Sequence, residues 1–459
     1  MMTVTARALV LLLLGASPAA ALGQFFAKCG SGDRGELAEN VRAHAQHTYR
    51  LDRKVSEYWY HNKKLPPEYE DAKLEDVERF LRRSKERMGV LYHAHDRASP
   101  KYCTWLATRR GVTSHVETGV SKEEHDGLRD GLFGALRVPE RMRGRAPTLR
   151  GAALLAKAEV PAADGEAALK RLSERLLPTP VVRAILEQGV ETLVVVPHGD
   201  EGTIPFAALH MGESGGKPRL LVDVASVLMA PGFESFKKAP TPRRSALVPA
   251  IVVGDPASTA QDKDYDFPQL AGARAEAAEV ARLLLGDGSG HSSANLLVVL
   301  EGGAATSEAV LDAAGRLGGT PQLLYLSTHG VADPVDPLDG SFLWLADGRW
   351  SARQFQKFPA RDAQPLVVLS ACQTGLGKRF DVGTIGMARS WQLAGARSVV
   401  MSLWRVDDDA TRKLMVRFLA EAMRQPPDKA LRAAMLARKA EDADPAHWSS
   451  FAVFGVPER

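Results

Sequence analysis

The chain has 459 residues, of which 45% are hydrophobic and 25% charged, a composition typical of globular proteins with material for two or three domains. Its formal net charge is only +4, and the basic residues are mixed with acidic ones along the whole chain. Because no basic block stands out, the composition argues against a nucleic-acid partner.

The N-terminus has the pattern of a secretory signal peptide. Residues 1–7 contain one arginine, residues 8–15 are apolar, and an Ala-x-Ala cleavage site follows at Ala19–Ala21. The apolar run is too short for a stable membrane anchor, so we expect residues 1–21 to be removed and the protein to be exported, to the periplasm or outside the cell. An uncleaved anchor is the alternative. The sequence predicts no membrane span after cleavage.

Export affects how the three cysteines are interpreted. They are Cys29, Cys103 and Cys372, and an odd number leaves at least one thiol without a partner in the chain. One hypothesis is a disulfide between Cys29 and Cys103, with Cys372 as the thiol. Three free cysteines are the alternative.

Residues 24–95 are predicted to form a helical N-terminal segment. Glu36–Lys64 and Glu70–Met88 are charged stretches with apolar residues at helical spacing, and Pro66-Pro67 separates them. A helical hairpin of this size has a weak core of its own, so we expect it to pack on the region C-terminal to it.

The next region, residues 100–245, is predicted to contain both strands and helices. "YCTWLATRRGVTSHVE" indicates two strands around an Arg-Gly turn, and "LVVVPHGDEGTIPF" contains a further apolar strand. Helices are expected at Lys122–Leu136, Ala167–Leu176 and Pro180–Gln188, with a basic loop at Arg143–Ala152.

Apolar strands alternate with helical stretches in residues 246–459. The strands are "AIVVGD", "NLLVVL", "LLYLSTHG", "PLVVLSAC" and "SVVMSLW". The helices are expected at Ala271–Leu285, Ser307–Leu317, Gly383–Leu393 and Asp409–Met423. This alternation predicts an α/β fold with a mostly parallel sheet covered on both faces. Ligands of such sheets bind outside the carboxyl ends of the strands.

Two of those strand ends carry reactive side chains. His329 follows "LLYLST" and Cys372 follows "PLVVLSA". Neighbouring parallel strands lie about 4.8 Å apart, so adjacent strands would place imidazole and thiol in one crevice. A catalytic thiol needs such a base, because the thiolate is the nucleophile. The backbone N–H groups of Gly330 and Cys372 are candidates for an oxyanion hole. Taken alone, a cysteine at the end of an apolar strand is more often buried packing.

The C-terminal ~350 residues resemble the CHAT domain, which belongs to the caspase-like clan of cysteine peptidases, is widespread in bacteria and is related to separases. The motifs that carry the resemblance occur in the family's order: "LVVVPHGDEGTIPFAAL", "VVGDP", "LAGARAEAAEVARLL", "LEGGAATSEAV", "LYLSTHG", "LVVLSACQTGLG", "GMARSWQLAGARSVVMSLWRVDDDAT" and "WSSFAVFG". The resemblance implies a caspase-like sheet flanked by helices. Residues 246–459 would be the catalytic half, preceded by a pseudo-caspase-like, non-catalytic half at residues 100–245.

The same resemblance implies roles for individual residues. His329 would be the general base and Cys372 the nucleophile of a dyad that cleaves peptide bonds without a third catalytic residue or a cofactor. "LVVVPHG" echoes "LYLSTHG", but the family accepts several polar residues at the position of His198, so His198 is interpreted as structural.

Substrate specificity is less clear from the sequence. Asp408, or Asp381 after the cysteine loop, is a candidate for an acidic pocket that receives a basic side chain, with Trp404 as its wall. The alternatives are that the acidic run at residues 407–409 caps a helix and that Trp404 belongs to the core. No His, Cys or Asp cluster has metal-ligand spacing, and no glycine-rich loop fits a phosphate.

We therefore expect an exported cysteine endopeptidase that acts on a protein or peptide substrate. The N-terminal helical segment, or a regulatory protein bound through it, would control its activity. The alternative from another class is a catalytically silent interaction scaffold with a caspase-like fold, and a third hypothesis is thiol-dependent acyl transfer such as ligation. Export itself argues against a peptidase, since an oxidising compartment threatens an exposed thiolate.

Overall fold

The computed structural model describes most of the chain from residue 27 onwards: residues 27–60, 72–96, 100–121, 124–125, 127–128, 148–149, 162–199, 201–237, 247–258, 261–286, 294–319, 321–333, 338–360, 364–371, 378–380, 383–404 and 408–457. The predicted signal peptide, most of the predicted helix Lys122–Leu136 and nearly all of the predicted loop Arg143–Ala152 lie outside these residues. Cys372 and Asp381 also lie outside them.

The elements of the first half of the chain are α1 (Arg34–Tyr60), α2 (Leu74–Arg83), β1 (Met88–Asp96), β2 (Lys101–Thr108), β3 (Gly111–Thr118), β4 (Thr148–Leu149), α3 (Ala162–Leu176), α4 (Thr179–Glu187), β5 (Thr192–Val196), β6 (His210–Ser214), β7 (Lys217–Leu220), α5 (Leu221–Val224) and β8 (Ser226–Met229). The two N-terminal helices and the β2–β3 hairpin agree with the prediction from sequence. Strand β1 was missed, and all of it except Asp96 lies in the segment that was predicted to be helical.

The second half contains β9 (Ala250–Gly254), β10 (Tyr265–Asp266), α6 (Ala271–Leu285), β11 (Leu297–Glu301), α7 (Ser307–Arg316), β12 (Leu323–Thr328), β13 (Gly330–Val331), β14 (Phe342–Leu345), β15 (Gly348–Ser351), β16 (Leu366–Ala371), β17 (Lys378–Phe380), β18 (Gly383–Ile385), α8 (Met387–Ala394), β19 (Ser398–Ser402), α9 (Asp408–Ala422), α10 (Pro427–Glu441), α11 (Pro445–Trp448) and β20 (Phe451–Gly455). The helix expected at Gly383–Leu393 begins only at Met387. The β-branched Thr384 and Ile385 before it belong to a β-hairpin, a conformation that such residues favour.

Eleven of the described strands form one continuous sheet in the order β11-β9-β12-β16-β19-β20-β8-β5-β1-β2-β3. Seven of its ten neighbouring pairs are parallel, and the pairs β19–β20, β1–β2 and β2–β3 are antiparallel. Both halves of the chain thus contribute to one mostly parallel α/β sheet, and they join where β20 pairs with β8.

The two halves of the sheet run in opposite directions. Strand β20 is antiparallel to β19 but parallel to β8, and β5 is parallel to β8. The carboxyl ends of β5 and β12 therefore lie at opposite edges of the sheet. His198 follows β5 and His329 follows β12, so the two Pro/Thr-His-Gly motifs do not face the same crevice.

Helices cover both faces of the sheet in the second half of the chain, as the uninterrupted apolar strands predict. Alternate residues of β9 enter different cores: Ala250 and Val252 pack with α6 and α9, whereas Ile251 and Val253 pack with α7 and α8. This two-residue alternation in a strand buried on both sides explains why its sequence is apolar throughout.

A disulfide joins Cys29 and Cys103, whose Cα atoms are 5.6 Å apart. It confirms the pairing hypothesis and fixes the residues before α1 to the inner strand β2. Among the described residues, no helix is long and apolar enough to cross a membrane.

Candidate active site

The candidate active site begins at the ends of two adjacent strands. Strands β12 and β16 are parallel neighbours over their full length, and Thr328 at the end of β12 lies opposite Ala371 at the end of β16. His329 and Cys372 are the next residues of the chain after this pair. The strands that precede His329 and Cys372 are therefore adjacent, and Cys372 itself lies outside the described residues.

The His329 imidazole is buried, with 4% of the residue exposed, and has a defined hydrogen-bond partner. Its Nε2 atom lies 2.6 Å from the carbonyl oxygen of Pro268. A carbonyl oxygen only accepts hydrogen bonds, so Nε2 carries the proton. Nδ1 is then the basic nitrogen of the neutral ring, which is the form that a general base needs.

Aromatic packing fixes the plane of this imidazole. The Phe267 ring lies 5.4 Å from it, centroid to centroid, and stacks on Trp344 at 4.3 Å. The backbone N–H of Trp344 also donates to the His329 carbonyl oxygen at 2.9 Å. The neighbouring strand β14 and the segment before α6 therefore hold the ring from two sides.

Asp255 is a site-forming residue to which no role was assigned from sequence. It follows β9 with a left-handed backbone, φ +43°, and its Oδ1 accepts from the backbone N–H of Leu270 at 2.9 Å. Its Oδ2 pairs with Arg274 at 3.1 Å, and its own N–H donates to the Ser327 carbonyl oxygen at 3.1 Å. Asp255 thus connects β12 to the segment that carries Pro268. The "VVGDP" motif marked its position after a strand but not this function.

A cleft opens at the same strand ends, between α6 and α9. It is lined by Leu270, Ala273, Glu276, Ser327, Thr328, Ser370, Ser402, Asp408, Thr411 and Phe451. Glu276 is 2% exposed and accepts a hydrogen bond from the Tyr325 hydroxyl at 2.8 Å. Burial raises the pKa of this carboxyl to about 7, although the nearby hydroxyls of Ser370, Tyr325 and Ser327 favour its charged form.

Comparison with known proteins identifies the family. Residues 166–456 match the CHAT domain family, more than half of the chain. The chain belongs to the CHAT domain family. A search of curated proteins finds no significant sequence match.

Solved structures support a caspase-like fold for this CHAT domain protein. The Saccharomyces cerevisiae separase–securin complex at 3.0 Å resolution matches with a TM-score of 0.54 and 8% identity, over 94% of this chain and 34% of that chain. The same complex at 2.6 Å resolution matches with a TM-score of 0.50 and 9% identity, over 97% and 35%. The CHAT domain protein spans about a third of the length of these separase chains. The complex of Porphyromonas gingivalis RgpB pro- and mature domains has a TM-score of 0.39 and 12% identity, over 74% and 77%.

The residues predicted for a specificity pocket have different surroundings in the CHAT domain. Asp408 is half-buried in the first turn of α9 and lines the cleft. Its neighbour Asp409 is exposed and pairs with Arg412 and Lys413. The half-buried Trp404 donates its indole N–H to a backbone carbonyl oxygen at 3.3 Å and is absent from the described lining of the cleft. The position of Asp381 lies outside the described residues.

His198, which follows β5 in the first half of the chain, belongs to a buried polar turn. Its backbone N–H donates to Oε2 of Glu201 at 3.1 Å. Glu201 also lies 3.2 Å from Nδ1 of His93 and accepts from the Tyr102 hydroxyl at 3.0 Å. These contacts stabilise the turn after β5. In the described part of the chain, no group of three or more His, Cys, Asp or Glu residues is arranged to hold a metal ion.

Proposed function

We propose that this CHAT domain protein is a cysteine endopeptidase that hydrolyses peptide bonds of a protein substrate. The observation that carries the proposal is the pairing of β12 with β16, which ends one residue before His329 and Cys372. The Pro268 carbonyl adds support, because it selects the tautomer of His329 whose Nδ1 accepts a proton.

The proposed reaction uses these two groups. Nδ1 of His329 takes the thiol proton of Cys372, and the sulfur attacks the substrate carbonyl carbon to form a C–S bond. As the tetrahedral intermediate collapses, the C–N bond breaks and His329 returns the proton to the leaving amine. Water, deprotonated by the same imidazole, then hydrolyses the thioester and frees the thiol.

The intermediate places negative charge on the former carbonyl oxygen, which needs N–H donors that are already in position. The backbone N–H groups of Gly330 and Cys372 remain our candidates for these donors. Gly330 is buried at the start of β13, directly after His329, and its lack of a side chain allows a substrate carbonyl to approach the backbone.

A peptidyl acyloxymethyl ketone probe tests the proposal. The wild type should be labelled at Cys372, and both Cys372→Ala and His329→Ala should lose labelling and peptide cleavage. His198→Gln is the matched control, because it changes the histidine of the echoing motif at the other edge of the sheet and should leave labelling unchanged. Proteolysis that persists in Cys372→Ala would refute the dyad. A wild type that is folded, unlabelled and inactive on a diverse peptide library would favour the interaction scaffold.

Export remains part of the proposal, through cleavage of residues 1–21. The disulfide between Cys29 and Cys103 supports it, because such bonds persist in oxidising compartments. Mass spectrometry of the protein recovered from a periplasmic or secreted fraction should find an N-terminus near residue 22. A cytoplasmic protein that retains Met1 would contradict export.

We also propose that the N-terminal helices receive a regulatory protein. Helix α1 reaches the catalytic half, where Asp52 pairs with Arg389 of α8. The separase matches, which are complexes with securin, show that a protein of this fold can be held by a partner chain. A protein that copurifies with the wild type, but not with a variant mutated on the exposed face of α1, would support this role. Purified candidate partners that leave the peptidase activity unchanged would refute it.

A further inference from the structure

A segment at the protein surface carries the carbonyl group that contacts His329. This segment, residues 262–270, precedes α6 and is called the strap below. Asp262 and Leu270 at its two ends are buried, whereas Pro268 is exposed. A segment with so little buried surface does not fix its own backbone, because few apolar contacts oppose its motion. The position of the Pro268 carbonyl oxygen therefore depends on how the rest of the strap is attached.

Arg349 of β15 attaches the first part of the strap. Its guanidinium makes a two-point contact with the carboxylate of Asp262 and donates a further hydrogen bond to Oδ2 of Asp264 at 2.8 Å. The Asp262 carboxylate also accepts the backbone N–H groups of Asp264 and Tyr265, at 2.8 and 3.0 Å. Burial favours the neutral form of Asp262, but the hydrogen bonds from Arg349 and from these N–H groups lower the pKa of its carboxyl below the ordinary value. The contact therefore joins a charged pair and fixes the backbone of the strap at this point.

The same arginine contacts the aromatic residues that pack on His329. Arg349 lies opposite Trp344 in the pairing of β14 with β15, and its Cζ atom is 4.4 Å from the centroid of the Phe342 ring. The Phe267 ring of the strap stacks on Trp344 at 4.3 Å and meets Phe342 edge-on at 6.0 Å. A cation over an aromatic ring is attracted to the face of that ring. The guanidinium thus joins the strap to the strands that follow His329.

The strap is attached on both sides of Pro268. On the side of α6, Asp255 accepts the backbone N–H of Leu270. On the other side, the Arg349 contact is joined by a pairing of β10 with β4 that covers two residues. A pairing of two residues is weak on its own, so Arg349 is the stronger attachment on this side. A carbonyl group in the middle of such a segment keeps its position only when both sides are fixed.

We propose that Arg349 is a positioning residue for the candidate general base, because its attachment of the strap keeps the Pro268 carbonyl oxygen against Nε2 of His329. The inference rests on the proposed function, whose base it concerns. Without the Arg349 contact, the strap moves and the imidazole loses the acceptor that selects its tautomer and sets its direction. Nδ1 then no longer points steadily at the thiol proton that it has to accept.

The kinetic test compares the full-length wild type with Arg349→Met and Arg349→Lys on a cleaved peptide. Arg349→Met should lower kcat about tenfold and change KM little, because a misplaced base loses part of its contribution to the rate. Arg349→Lys keeps the charge but not the two-point contact, so it should recover part of the rate. Arg353→Met is the matched control, because Arg353 is similarly exposed and pairs with Asp339, outside the strap. Its kcat should equal that of the wild type.

An NMR measurement distinguishes positioning of the base from a general loss of structure. In Cys372→Ala, isotopically labelled on its histidine nitrogens, the Nε2–H group of His329 should give a signal protected from exchange with water, because it donates to the buried side of the Pro268 carbonyl. Adding Arg349→Met should remove this protected signal, and adding Arg353→Met should leave it. His329→Gln identifies the signal by its absence.

A protected Nε2–H signal that Arg349→Met leaves unchanged would overturn the inference. A loss of activity that appears in KM rather than in kcat would overturn it as well, because the strap would then act on the substrate and not on His329. If Arg349→Met does not fold, Asp264→Asn removes one carboxylate from the same contact and should weaken the signal, and no change there would overturn the inference. A wild type that cleaves no peptide would contradict the proposed function, and the NMR comparison alone would then decide whether Arg349 positions His329.

Discussion

Replacing Arg389 with methionine tests how the N-terminal helix α1 is fixed to the C-terminal half of the chain. Arg389 lies near the start of α8 and makes a close two-point contact with the carboxylate of Asp52 on α1. A second carboxylate, Glu234 after β8, lies 3.7 Å from the same guanidinium. The three side chains are only 12%, 8% and 5% exposed, so solvent screens them little.

The expected loss of stability arises because the substitution leaves a buried charge without its partner. Breaking a buried ion pair by removing one partner costs about 3–5 kcal/mol, and Arg389→Met leaves Asp52 uncompensated. Burial already raises the pKa of Glu234 to about 7 despite the opposing effect of Arg389. Without the guanidinium this pKa rises further, so the charged form of Glu234 becomes more costly. Since a raised folded-state pKa gives stability that is lost as the pH rises, the variant should lose more stability at pH 8 than at pH 6.

Urea unfolding followed by tryptophan fluorescence measures this loss in the wild type and in Arg389→Met, at both pH values. Arg417→Met is the matched control, because the Arg417–Glu441 pair is half-exposed on both sides and should be worth less than about 1 kcal/mol. Asp52→Asn/Arg389→Met should recover much of the loss by removing the uncompensated charge. A loss below about 1 kcal/mol in Arg389→Met, or no recovery in the double variant, would refute the reasoning.

Three further predictions concern the disulfide, Asp255 and Glu276. Replacing both Cys29 and Cys103 with serine should lower the unfolding free energy by about 4 kcal/mol, because the disulfide joins residues that are 74 positions apart in sequence. An unfolding temperature equal to that of the wild type would contradict this prediction. Asp255→Ala should reduce kcat by about tenfold and alter the pH profile of kcat. Asp255→Asn keeps an Oδ1 acceptor for the N–H of Leu270 and should retain most of the rate. Equal losses in both variants would exclude a role of Asp255 in positioning His329. The folded-state pKa of Glu276 is raised to about 7, so this carboxyl stabilises the fold below about pH 4.5. That stabilisation, roughly 3 kcal/mol, is lost as the pH rises through 7. The unfolding temperature of Glu276→Gln should therefore decline less across this pH range than that of the wild type.

The fold of the C-terminal half could be predicted because its inner strands, such as β9, β12 and β19, are buried on both faces. Such strands are continuous apolar runs, and the helices between them have their own periodicity. Strand β1 was missed for the opposite reason: "MGVLYHAHD" contains two histidines, and polar residues argue against an inner strand. His93 is acceptable there because Leu176 and Glu201, which are distant in sequence, provide its hydrogen-bond partners. The sequence contains no local signal for partners of that kind.

At the candidate site, sequence patterns located the chemical groups but not the atoms that orient them. His329 was found because it ends an apolar strand before a glycine. The orientation of its imidazole depends on the backbone carbonyl of Pro268. Every residue has a backbone carbonyl group, so the sequence does not identify this contact. The buried position of Glu276 could not be recognised for a related reason, because in the sequence of a single helix it resembles any surface acid. Only the packing of α6 against β12 turns it toward Tyr325 and the cleft.

The opposed direction of the two half-sheets explains why a chain with two similar His-Gly turns has one candidate catalytic centre. A dyad needs two neighbouring parallel strands whose ends meet a base and a nucleophile, and β12 and β16 meet this requirement up to Thr328 and Ala371. The end of β5 lies at the other edge, where His198 and its neighbours form a hydrogen-bonded turn around Glu201. The N-terminal segment contacts the C-terminal half directly, because Asp52 of α1 reaches Arg389 near the start of α8. If this contact controls the site, Arg389→Met should change the rate at which the probe labels Cys372, and an unchanged rate would contradict that role.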